Sequence, residues 1–91
     1  MNMDELRGRI DAVDDELLRC FAERMDIAGD IARYKAEHGL PVLDERRERE
    51  KLYAVSEKAP EELQSYAVSL YALLFELSRC YQNRLLGGDT A

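Results

Sequence analysis

The sequence is poor in the residues that most metal and redox chemistry is built on, with one histidine and two cysteines in 91 residues. His38 stands alone before Gly39, where an imidazole near a helix C-terminus meets the last carbonyls more readily than a metal. Cys20 and Cys80 lie far apart, with neither CxxC nor Cys/His metal spacing, and read as two reduced, half-buried thiols. No metal site is expected. Long apolar runs are missing too, and "MNMDELRGRI" has no apolar signal core after its charges, so the expected location is cytoplasmic. Positive charge is in deficit, with 13 Lys and Arg against 19 Asp and Glu for a net charge of −6. That argues against a general phosphate-backbone binder, so any anion site must be local. There is no strand alternation, internal repeat or low-complexity segment.

What is present is helical periodicity. "NMDE" opens like a capping box, with Asn2 as N-cap and Glu5 three residues on. From there Leu6, Ile10, Val13, Leu17, Cys20, Phe21, Ala28 and Ile31 recur at three- and four-residue steps until "HGLP" stops them. This predicts one helix of about 35 residues, hence about 50 Å long. A compact domain of this size has a radius of gyration of roughly 12 Å, so such a helix must project beyond it and expose an apolar stripe that needs a second chain. A second helix should begin near Asp44 and fade by "SEKAP". Pro60 suits the first turn of a third helix, with Glu61 and Glu62 favouring its dipole. The stripe of that helix is Leu63, Tyr66, Leu70, Leu73, Leu74, Leu77 and Tyr81, and Gly87 and Gly88 end it. The expected organisation is all-α, with residues 1–86 as one domain and 87–91 as a flexible tail or the start of a linker. A domain this small buries a modest core, and a partner chain would help it.

Several polar residues fall on the apolar side of these helices. At about 100° per residue, Arg24 and Lys35 lie near the middle of the first stripe, beside Leu17 and Ile31. A buried unpaired cation costs several kcal/mol, so each needs a carboxylate neighbour or a bound anion. A register-setting polar residue of a coiled coil is the alternative for one of them, but fits two cations three turns apart less well. Arg7 lies at the stripe's edge, where snorkelling at a dimer rim is the default. The charged run "DERREREK" divides in two: Asp44, Arg47 and Glu48 share a face with Leu52 and Val55, while Glu45, Arg46, Arg49 and Glu50 turn away. Asp44 also suits an N-cap, which can present backbone N–H groups to a ligand. Ser78 and Gln82 sit one turn apart at the flank of the third stripe, a weak signal alone. Together these residues describe a polar pocket inside a helical bundle, sized for a small anion with more than one carboxylate and a hydroxyl.

The stretches "LRGRIDAVDDELLRCFAERMDIAGDIARYK", "PVLDERRERE" and "ELSRCYQ" resemble the all-helical chorismate mutases along nearly the whole chain. Arg7, Arg24, Lys35, Asp44, Arg47, Glu48, Ser78 and Gln82 each fall where that family places a functional residue. The resemblance implies an intertwined homodimer whose long first helices pair, with two equivalent sites, each taking Arg7 from the partner chain. It implies conversion of chorismate to prephenate, the branch step toward phenylalanine and tyrosine, without nucleophile, metal or cofactor. By resemblance, Arg7, Arg24 and Arg47 position the carboxylates with help from Ser78. Glu48 and the backbone amide of Asp44 hold the ring hydroxyl, and Lys35 and Gln82 donate to the ether oxygen. Lys35, Gln82, Arg24 and Glu48 are the implied catalytic set.

Two rivals stand beside this reading. Isochorismate-pyruvate lyase is similar in fold and anion-binding residues, but that branch lacks equivalents of Glu48 and Ser78. A non-catalytic dimerisation or regulatory module would predict a damaged pocket, whereas all eight positions are suitably filled. The chain is too short to hold a separate amino-acid-sensing domain as well, so feedback control would come from a fused or associated enzyme.

Overall fold

The computed structural model describes residues 1–87 and contains three α-helices, with no strand among the described residues. The first, α1, spans Met3–Glu37; α2 spans Glu45–Lys58; a short 3-10 turn, Glu61–Leu63, leads into α3, Gln64–Leu85. The proposed tail lies mostly at 88–91, outside the described residues.

Local chemistry sets each boundary. The Asn2 side chain accepts a hydrogen bond from the Glu5 N–H at 2.9 Å, satisfying one of the free donors at the start of α1. At the other end Gly39 adopts φ +66°, a left-handed turn that favours glycine. That turn lets the Leu40 N–H reach the Lys35 carbonyl at 2.8 Å and the Gly39 N–H reach Ala36 at 3.4 Å, a Schellman closure. His38 Nδ1 lies 2.8 Å from the Tyr34 carbonyl oxygen, so the lone histidine serves the helix end. Asp44 caps α2, accepting from the Arg47 N–H at 3.0 Å. Ala59 is extended because Pro60 follows it. Pro60 stands just outside the helical residues and its carbonyl accepts from Leu63 at 2.8 Å; the 3-10 turn starts one position after Pro60, and α3 itself follows only at Gln64. Gly87, at φ +82°, follows the end of α3.

Helix α3 packs against both α1 and α2, while α2 makes no close backbone approach to α1. The approach of α1 to α3 depends on small residues: Ala28, Gly29 and Ala32 are buried, and a Cβ added at Gly29 would stand 2.9 Å from Leu85 Cδ1. Only the C-terminal half of α1 is covered in this way. Leu6, Ile10, Val13 and Leu17 remain between 43% and 63% exposed, and Leu70, Leu73 and Leu77 of α3 are also uncovered. The radius of gyration is 16.2 Å, well above the roughly 12 Å of a compact chain. The longest dimension, 54 Å, is close to the roughly 52 Å length of a 35-residue helix.

Candidate functional site

The separation between α1 and α2 leaves a cavity of about 320 Å³ walled on its third side by α3. Seven of the eight singled-out residues line it: Arg24 and Lys35 from α1, Asp44, Arg47 and Glu48 from the start of α2, and Ser78 and Gln82 from α3. Arg7 does not. It lies seventeen residues before Arg24 on the same helix, about 25 Å away along the axis, and is exposed.

Arg24 is half-buried and donates from Nη1 to Ser78 Oγ at 2.9 Å, with its guanidinium carbon 5.9 Å and 5.7 Å from the ring centres of Tyr71 and Phe75. Aromatic faces and a hydroxyl hold the cation in place without cancelling its charge. Lys35 donates to the Val42 carbonyl at 2.9 Å, so the loop after α1 fixes the ammonium while leaving it two further N–H donors. Neither cation forms an ion pair among the described residues, and the carboxylate neighbour allowed by the sequence is not found. Ser78 and Gln82 are buried polar residues and both are satisfied. The Ser78 hydroxyl accepts from Arg24 and lies 3.8 Å from Met25 Sδ, while Gln82 Nε2 donates to the Ala28 carbonyl at 2.8 Å. One amide N–H of Gln82 is thereby spent on α1, and the second is left for the cavity.

The charged run divides as its spacing predicts. Arg46–Glu50 and Arg49–Glu45 pair on the exposed face of α2, while Asp44, Arg47 and Glu48 face the cavity. The partner of Glu48 is a surprise. It pairs with Arg79 of α3, whose Nη1 donates to both carboxylate oxygens. Sequence reasoning missed Arg79 and Lys51, which also line the cavity, together with Ile27, Ile31, Val42 and Phe75. The cavity therefore gathers five cations and two carboxylates, a surplus of three positive charges in a chain whose net charge is −6. Its apolar walls weaken solvent screening, and such a site favours a small polyanion.

The thiols differ from expectation. Cys20 and Cys80 are free and exposed rather than half-buried, because nothing among the described residues covers the N-terminal half of α1 or the outer face of α3. No group of metal-ligating side chains occurs among the described residues, and none of their helices is long and apolar enough to cross a membrane.

Comparison with known proteins finds related sequences. A chorismate mutase from Methanocaldococcus jannaschii is 27% identical over 84 residues, covering 90% of this chain and 85% of the relative. A 4-amino-4-deoxychorismate mutase from Streptomyces venezuelae is 34% identical over 77 residues, covering 79% of this chain and 72% of the relative. The T-protein of Haemophilus influenzae is 39% identical over 44 residues, which are 48% of this chain but only 12% of that much longer protein. No solved structure matches the chain significantly. Residues 6–83, nearly all of the three helices, match the family described as chorismate mutase type II, and the chain belongs to that family.

Proposed function

We propose that the protein rearranges chorismate to prephenate as a homodimer with two equivalent sites, residues 1–86 of each chain forming the catalytic domain. The observation that carries the reading is the cavity itself, in which Arg24, Lys35 and Arg47 form no ion pair among the described residues and stand beside Glu48, Ser78 and Gln82. Those cations match a dicarboxylate, and the remaining polar groups match a hydroxyl and an ether oxygen.

The reaction is intramolecular. A carbon–oxygen bond breaks as a carbon–carbon bond forms, and no atom enters or leaves. Catalysis then consists of holding the substrate in its folded reactive shape and stabilising negative charge that grows on the ether oxygen. Arg24, oriented by Ser78, and Arg47 hold the carboxylates in position. Glu48 accepts from the ring hydroxyl, and the Asp44 amide at the start of α2 donates to it. Lys35 and the second N–H of Gln82 donate to the ether oxygen. The Val42 and Ala28 carbonyls fix those two donors beforehand, which lowers the reorganisation needed in the transition state.

Exposed surface as well as charge supports the reading of a second chain. One chain exposes 7269 Å², about 1,800 Å² more than the roughly 5,400 Å² of a compact monomer of its mass. Burying that excess on each of two chains gives an interface in the range of obligate dimers. Pairing through Leu6, Ile10, Val13 and Leu17 carries Arg7 to the partner's cavity, which its own chain cannot offer it. The test is the loss of chorismate absorbance with purified protein, with product identification and sedimentation on the same sample. Prephenate formed by a dimer supports the reading. A folded protein that leaves chorismate unchanged overturns it and directs attention to isochorismate.

A further inference from the structure

One guanidinium in the cavity has no part in the proposed reaction. Arg79 follows Ser78 on α3, lines the same cavity, and engages both oxygens of Glu48 on α2 through one nitrogen. The pair is sheltered, with side-chain exposures of 31% and 25%. It is the one ion pair within the cavity among the described residues. Glu48 is also the carboxylate of the cavity not committed to a helix cap, since Asp44 accepts from the Arg47 N–H.

We propose that Arg79 is a specificity-determining residue, which balances the charge of Glu48 so that the site accepts a substrate bearing a neutral ring hydroxyl and rejects one bearing an ammonium in its place. The inference rests on the mutase reading of the cavity and adds to it a choice between two substrates of one carbon skeleton. An ionised carboxylate has about four lone-pair sites, and Arg79 takes two. The others can accept from an O–H, which needs an acceptor but no net charge. An ammonium needs net negative charge to offset its desolvation. Beside Glu48 it would meet Arg79 as well, two cations against one carboxylate, in a cavity already carrying a surplus of three positive charges. An uncharged side chain at position 79 would free the full charge of Glu48 for such a ligand.

The relative from Streptomyces venezuelae is named for the aminated compound, and that compound is the probe. kcat/KM is measured with chorismate and with 4-amino-4-deoxychorismate for the wild type, Arg79→Met and Arg79→Lys, each checked for folding by circular dichroism. The wild type is expected to prefer chorismate. Arg79→Met should raise kcat/KM for the amine relative to chorismate by about tenfold or more, chiefly through KM. Arg79→Lys keeps the charge and should keep the preference. A merely structural residue would change both substrates alike. If Arg79→Met fails to fold, Arg79→Gln is read by the same criterion. An unchanged ratio in a folded, chorismate-active neutral variant overturns this proposal alone, as does a wild type that handles both substrates equally. A wild type that turns over neither overturns the mutase reading and the proposal with it.

Discussion

The side-chain amide of Gln82 donates to the main-chain carbonyl of Ala28 across 2.8 Å, joining α3 to α1 at the wall of the cavity. This bond turns a surface type of residue into a buried, fixed donor. An amide carries no titrating proton, so wild-type turnover is expected to persist at neutral pH rather than fall steeply from mildly acidic conditions. Gln82→Glu should reverse that behaviour. An ionised carboxylate there cannot donate and would face the Ala28 carbonyl, so the variant should work best toward about pH 4 to 5, where an ordinary glutamate becomes protonated. Its rate is expected to rise as pH falls, and a pH–rate profile parallel to wild type would contradict the placement of Gln82 beside the reacting oxygen.

Lys35 should show the largest single effect. A contact to the ether oxygen that strengthens in the transition state is worth about 3 to 4 kcal/mol. Lys35→Ala is therefore expected to lower kcat by about a hundredfold or more, while urea denaturation changes little, since the lost ground-state contact is one hydrogen bond to Val42. A dimeric Lys35→Ala protein with full activity would remove Lys35 from the mechanism.

Arg7 and Lys35 lie at opposite ends of α1, and the proposed dimer brings one from each chain to a common site. Arg7→Ala and Lys35→Ala should each be nearly inactive alone. After unfolding and refolding an equal mixture, half the dimers carry one of each chain, and one of the two sites in such a dimer is intact. Activity is thus expected to return to about a quarter of wild type, as two-fold symmetry requires. No recovery would place Arg7 outside the partner's cavity.

The uncovered stripe on α1 offers a test of assembly. Val13→Asp or Leu17→Asp alters a side chain that is largely exposed in the single chain, 63% and 58% respectively. Such changes on a free surface stay within about 0.5 kcal/mol. In the dimer they bury an unpaired charge, so sedimentation should show dissociation, with loss of helicity on dilution and loss of turnover. A dimer of unchanged affinity would mean that the chains meet elsewhere.

The helix limits were legible because they depend on neighbours in sequence: Asn2 and Asp44 cap within three residues, and the Gly39 closure needs only Lys35 and Ala36. Periodicity also separated the two faces of "DERREREK" and sent seven side chains toward a common space. Arg79 was not legible. Its partner is 31 residues away, and the pairing is decided by how α2 packs on α3, which no local spacing records. The exposure of Cys20 was not legible either: periodicity puts it in the apolar stripe of α1, but burial depends on what packs there, and no described residue covers it.

The unbroken run of α1 makes its two halves a phase-locked rod. One residue inserted between Arg7 and Arg24 would turn one guanidinium by about 100° relative to the other and move it by about 1.5 Å. Seven inserted residues would nearly restore the azimuth yet add about 10 Å of length. Substitutions along this segment that keep its apolar stripe preserve that relationship, whereas a change in residue number breaks it.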